Sequence, residues 1–127
     1  MSTIPRGEVT IQTLAMPADT NANGDIFGGW LVSQMDLAAG VLAKRISRGR
    51  AVTVAINSMS FLRPVHVGDV VSCHVELSKC GKTSMTIDVE VWTMRSDSRE
   101  HLQVTQGSFV FVAIDEKGKP RQVYDKK

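Results

Sequence analysis

The sequence predicts an α+β domain in which a curved antiparallel β-sheet wraps around one long central α-helix. Three observations carry this prediction. Apolar residues recur at spacings of three and four from about Ile26 to Ile46, they recur at a spacing of two in four later stretches, and the links between those stretches are short and turn-like. Short links make neighbouring strands antiparallel, because a parallel pair needs a crossover of a dozen residues or more. A single helix covers only one face of such a sheet. The sheet therefore curls around it, and its other face is left wet or is covered by a second subunit.

Val9, Ile11 and Leu14 form a first short strand that ends at Met16-Pro17, where proline blocks continuation as a helix or a central strand. Residues 18 to 25 are rich in Asn, Asp, Thr and Gly and read as a loop. In the helix that follows, Phe27, Leu31, Met35, Ala38, Leu42 and Ile46 make one apolar face. Gly29, Ser33, Asp36 and Gly40 fall within about 60° of each other on the opposite side at 100° per residue. That second stripe is small and polar, without the Lys and Glu of a solvated face, so something should pack against it. Lys44 and Arg45 suit the negative end of the helix dipole, and Arg48-Gly49-Arg50 ends the element. The period-two stretches follow: Val52, Val54, Ile56; then Val71, Cys73, Val75, Leu77; then Met85, Ile87, Val89, Val91; then Val104, Val110, Val112, Ile114. Their links run from Arg63 to Asp69, from Cys80 to Thr83 and from Ser96 to Glu100.

The 127 residues suffice for one domain, residues 1–127, with a core over about 8–115 and a short basic C-terminal tail. With 43% hydrophobic and 22% charged residues the composition is that of an ordinary globular protein. No apolar run approaches the roughly 20 residues of a membrane span, and the N-terminus lacks the apolar core of a secretory signal, so the expected compartment is the cytoplasm. A net charge of +2 without a basic stripe gives no argument for nucleic acid, although a small anionic ligand stays open. Cys73 and Cys80 lack metal-site spacing and read as reduced, semi-buried packing residues. The tail series Lys117, Lys119, Arg121, Lys126 and Lys127 reads as a solvated terminus.

Asp36 is the leading candidate for chemistry. A carboxylate in mid-helix among Leu37, Ala38 and Ala39 must be exposed at an interface, hydrogen-bonded, or used as a base. Composition alone divides evenly between that and a solvated acid, but Gly29, Ser33 and Gly40 leave room beside it for a narrow ligand. Gly28-Gly29 opens the same helix, where backbone N–H groups without intrahelical partners lie at the positive end of the dipole and can hold a carbonyl and its developing oxyanion. Taken alone, the pair also fits a tight turn or close helix-sheet packing. Asn21 can hydrogen-bond a water or a substrate carbonyl, Asn23-Gly24 suits the turn itself, and Asp19 and Asp25 suit helix caps. His66, His74 and His101 fall in a turn and in strands, so a Ser-His-Asp or Cys-His arrangement has no support.

The stretch from Leu14 to Trp30, then Ser33-Gln34-Met35-Asp36, then Phe61-Leu62-Arg63-Pro64-Val65, Val67-Gly68-Asp69-Val70 and Glu90-Val91-Trp92 resemble the hotdog-fold acyl-CoA thioesterases, and within them the small bacterial YciA type. The resemblance runs from about Thr13 to Pro120. It implies subunits whose sheets pair edge to edge in a dimer as minimal unit, with dimers assembling further as a trimer of dimers, and a site between subunits. It implies Asp36 as general base or as nucleophile through an anhydride, Asn21 opposite it across the interface, and backbone N–H groups near Gly28 and Gly29 as the oxyanion hole. On the substrate side it places Thr53 near the thioester, and the Gly81-Lys82-Thr83-Ser84 turn with Arg63 at the nucleotide end of coenzyme A; Asn23 and Ser33 are further candidates for substrate binding. No metal or redox cofactor is implied; coenzyme A is part of substrate and product. Many members carry His where this chain has Phe27, which removes an imidazole but leaves the backbone donors.

The expected activity is hydrolysis of acyl-CoA to free acid and coenzyme A. Two rivals come from other classes: a hydroxyacyl-thioester dehydratase, which wants a His paired with an acid, and an acyl-CoA sensor that binds without hydrolysing.

Overall fold

In a computed structural model the protein is described over residues 4–124. Strand β1 (Glu8–Leu14) is followed by a 3-10 turn at Pro17–Asp19, helix α1 (Gly28–Ser47), and strands β2 (Ala51–Phe61), β3 (Val70–Cys80), β4 (Ser84–Met94) and β5 (His101–Ala113). The five strands form one antiparallel sheet in the order β1-β3-β4-β5-β2, and α1 packs against all of them. The predicted fold class is thus the observed one.

The helix buries Leu31, Met35, Ala38, Ala39, Leu42 and Ala43 against the sheet, where the alanines let helix and strands approach closely. Phe27 lies outside this face and is exposed, because the helix begins at Gly28 and Phe27 is its extended N-cap residue. At the far end Arg48, not Gly49, takes the left-handed conformation (φ 56°) and its N–H donates to the Lys44 carbonyl.

Strand β4 matches the predicted pattern, with Met85, Ile87, Val89 and Val91 turned into the core. Two strands differ. In β5 the buried apolar residues are Val104 and then Phe109, Phe111 and Ala113, whereas Val110 and Val112 are only half-buried; Ile114, just beyond the strand, is buried as expected. The register with β4 shifts between Val91 and Trp92, and one extra residue on a strand exchanges the two faces beyond it. In β2, Val52, Val54 and Ile56 are exposed, since this strand is the sheet edge, pairs only with β5 and bulges twice.

The link between β2 and β3 does not join sheet neighbours. It crosses the ends of β5 and β4, three strand spacings or about 14 Å, which residues 62–69 span with ease at roughly 3.3 Å per residue. The basic tail is not simply solvated either. Arg121 donates to the carbonyls of Ser47, Arg50 and Ile114, and buried Val123 donates its N–H to the Lys82 carbonyl. Lys126 and Lys127 lie outside the described residues. Cys73 is fully buried and burial pushes its thiol up to about 12, whereas Cys80 is exposed, so neither is the semi-buried residue expected; both are free.

Candidate active site

Asp36 sits half-buried on the flank of α1 that faces the edge strand. The Thr53 hydroxyl of β2 donates to its Oδ1 at 2.5 Å. A hydroxyl on a carboxylate is a short, charge-assisted bond that fixes the rotamer of the acid. Among the described residues no other side chain bonds to Asp36, so Oδ2 remains available to a proton or an electrophile.

A second group of candidates gathers at the start of the helix. Residues Asn21, Gly28 and Arg63 line one cleft of about 390 Å³ together with Leu31, Phe61 and Val65. The local sequence leaves backbone donors open there. Phe27 supplies no side-chain cap, Trp30 N–H turns back to the Phe27 carbonyl at 3.1 Å, and the N–H groups of Gly28 and Gly29 have no partner among the described residues. Asp19 and Asp25, expected as caps, do other things: the Asp19 carboxylate accepts from Met16 N–H within the 3-10 turn, and the Asp25 carbonyl accepts from Asn21 N–H. The missing Cβ atoms matter as well, because one at Gly28 would stand 3.3 Å from the Phe61 ring and one at Gly29 3.3 Å from the Phe27 ring. Substitution would therefore push an aromatic ring at the mouth of the cleft.

Asn21 shapes this loop. Its Oδ1 accepts from Asn23 N–H at 2.9 Å and from Asp25 N–H at 3.2 Å, which commits the oxygen and leaves the amide NH₂ as the group able to reach a ligand. Asn23 thus serves the turn. Ser33 is exposed and its hydroxyl donates to the Trp30 carbonyl, while Gly40 lies against the Phe111 ring.

The two groups remain apart within one chain. Gly28 and Asp36 are separated by about 12 Å along the helix, and Asp36 does not line the cleft that holds Asn21. Arg63 and the Gly81–Ser84 turn are also separate. Arg63 donates to the Gln103 carbonyl beyond the Phe61–Thr105 pair, whereas Ser84 is paired with Val112, and β5 from Thr105 to Val112 is roughly 23 Å long. The turn itself is tied by Gly81 N–H to the Ser84 carbonyl and by the Thr83 and Lys82 carbonyls to Ala113 and Val123. One subunit therefore cannot present Arg63 and this turn to the same phosphate.

The end of β2 and the crossover wall this site, since Phe61 to Val65 form much of the cleft. His74 and His101 lie on the sheet face turned away from the helix. His101 stacks near Trp92, and burial pushes the His74 imidazole down despite its bond to Gly7. No three of His, Cys, Asp and Glu among the described residues converge as metal ligands.

The sequence pattern of the thioesterase superfamily matches residues 23–97, the stretch that holds the glycine pair, Asp36, Thr53 and the crossover. The chain belongs to that family. It is 53% identical to the acyl-CoA thioester hydrolase YciA of Salmonella typhimurium over 95% of this chain and 93% of the relative, and 52% identical to YciA of Escherichia coli K12 over 93% and 92%. Among solved structures it is similar to a hexameric thioesterase of Yersinia pestis, with TM-score 0.92 and 51% identity over 97% of this chain and 100% of that one. A hexameric hotdog fold thioesterase of Campylobacter jejuni matches with TM-score 0.89 and 37% identity over 93% and 91%. The hotdog fold of these thioesterases is the fold of this chain.

Proposed function

We propose that the protein hydrolyses acyl-CoA thioesters to free carboxylic acids and coenzyme A, with Asp36 as the reacting carboxylate. The observation that carries this reading is the pairing, on one helix, of an uncapped glycine start with a lone acid held by Thr53. In the general-base route Asp36 takes a proton from water as the oxygen bonds to the thioester carbon. The carbonyl oxygen gains charge and is met by the N–H groups of Gly28 and Gly29 at the positive end of the helix dipole. Collapse breaks the carbon–sulfur bond, and the proton held by Asp36 goes to the departing thiolate. In the nucleophilic route the carboxylate bonds to the carbon first and the carbon–sulfur bond breaks, expelling the coenzyme A thiolate; water then opens the mixed anhydride to free acid and the Asp36 carboxylate, and the proton released goes to the thiolate.

Because Asp36 and the Asn21–Gly28 cleft lie apart in one chain, the complete site is read as shared. The carboxylate of one protomer meets Asn21 and the helix start of its partner. The exposed Val52, Val54 and Ile56 of edge strand β2 support sheet-to-sheet pairing, since an uncovered apolar edge of this length invites another strand. Dimers then assemble as a trimer of dimers, as the hexameric relatives suggest. Arg63 of one subunit and the Gly81-Lys82-Thr83-Ser84 turn of another are assigned to the nucleotide end of coenzyme A. Asn23 and Ser33 serve through the loop and the helix face beside the thioester. The reading assigns no metal or redox cofactor, no nucleic acid and no membrane partner, and a cytoplasmic location. No helix among the described residues is long and apolar enough to cross a membrane.

Release of free thiol from acyl-CoA tests the assignment. Asp36→Ala should lower kcat by about 10²-fold or more while coenzyme A binding persists. Hydrolysis near the wild-type rate by that variant refutes the role of Asp36.

A further inference from the structure

The crossover that walls the cleft is held by a buried ion pair remote from Asp36. Asp69 is 1% exposed, and its Oδ2 accepts from Arg95 Nη1 at 2.8 Å and from His66 N–H at 2.9 Å. The other arm of the same guanidinium donates to the Pro64 carbonyl at 2.9 Å. One planar side chain thus pins both ends of residues 64–69, a two-pronged grip that lysine cannot reproduce. The crossover is in turn bonded to the segment before the helix. Ile26 N–H donates to the Val65 carbonyl at 3.1 Å, Ala15 N–H to the Asp69 carbonyl at 3.0 Å, and Gly68 N–H to the Ala15 carbonyl at 2.8 Å. Arg95, the crossover, Ala15 just after β1 and Ile26 just before the helix therefore form one connected layer. Its free surface is the cleft lined by Asn21, Gly28, Pro64 and Val65.

We propose that Arg95 and Asp69 are positioning residues for thioester hydrolysis: through Pro64 and Val65 they set the distance between the crossover and the Gly28-Gly29 donors that receive the substrate carbonyl. The pair touches neither Asp36 nor the cleft itself. Its effect is geometric, and displacement of a reacting atom by about 1 Å is enough to cost orders of magnitude in rate. The proposal rests on the hydrolytic reading above.

The test combines kinetics with hydrogen exchange on the full-length protein. Wild-type thiol release from a panel of short and long acyl-CoA substrates is measured first; its absence would remove the hydrolytic reading and leave the exchange arm to report on the strut. For Arg95→Met we expect kcat to fall about tenfold with KM changed less than about threefold. The amides of Ala15, Ile26 and Gly68 should exchange about tenfold faster while that of Phe109, in the centre of the sheet, keeps its wild-type protection. Arg95→Lys should fall between the two. Wild-type kcat together with unchanged exchange at these amides overturns the proposal. So does an equal loss of protection at Phe109, which marks general destabilisation. Should Arg95→Met not fold, Asp69→Asn retains the side-chain shape and is read by the same four amides and the same kinetic split.

Discussion

Strands β4 and β2 are each 11 residues long and each alternate apolar with polar residues, yet they end in opposite surroundings. The apolar set of β4 lies beneath the helix with at most 1% exposure, whereas Val52, Val54 and Ile56 of β2 are 42%, 56% and 46% exposed. The cause is position in the sheet. β4 has a strand on either side and α1 across its inner face; β2 has one neighbour and an open edge. Alternation therefore states that a surface suits cover without stating by what, and for β2 the proposed cover is a second subunit. The contact between Thr53 and Asp36 ties the proposed reacting carboxylate to that same edge.

Four experiments break or sharpen this contrast, in descending order of effect. Ile87→Ala empties a fully buried position in β4 and should cost about 2–5 kcal/mol in a denaturation series, with the assembly state of the folded protein unchanged. Val54→Lys should do the reverse. It leaves the fold of each chain intact, by circular dichroism, but weakens assembly by about 2 kcal/mol or more on sedimentation, because a lysine ammonium cannot be buried unpaired in an interface. Catalysis should fall along with assembly. Thr53→Val keeps the shape of β2 and removes the hydroxyl on Asp36; kcat should drop about tenfold, equivalent to about 1.4 kcal/mol.

The smallest effect concerns the two thiols. Cys73 is buried and burial pushes its thiol up to about 12, so it stays a protonated, shielded thiol at pH 8. A thiol reagent should modify Cys80 in the native protein and both cysteines after unfolding, counted by mass spectrometry. Native modification of Cys73 would place the edge of the core elsewhere.

Long, strongly periodic segments were legible in the sequence. The inner face of α1 from Leu31 to Leu42 and the whole of β4 follow from spacing alone, since each has a single arrangement that buries its apolar residues, whereas Phe27 falls before the helix begins. The reading of β5 failed past its bulge, because one inserted residue reverses the faces without altering the composition. The crossover between β2 and β3 looked like a hairpin link because length alone does not reveal which strands it joins. Docking of the tail through Arg121 and Val123 was illegible for another reason: its partners, Ser47, Arg50 and Lys82, are remote in sequence. For the site, the glycine start and Asp36 could be marked on one helix from spacing. Their separation into two regions of one chain required the fold, as did the Arg95–Asp69 pair, whose members lie in different links between strands.

Mixing two inactive variants probes most directly whether one protomer supplies the acid and its partner the loop. Asn21→Ala and Asp36→Ala are each purified, dissociated, combined in equal amounts and allowed to reassemble. In a twofold-symmetric dimer half of the pairs are mixed and each mixed pair regains one intact site, so activity should return to about a quarter of the wild-type value. Activity that stays at the level of the separate variants, with mixed assemblies verified by mass, would contradict a site shared across the edge of the sheet.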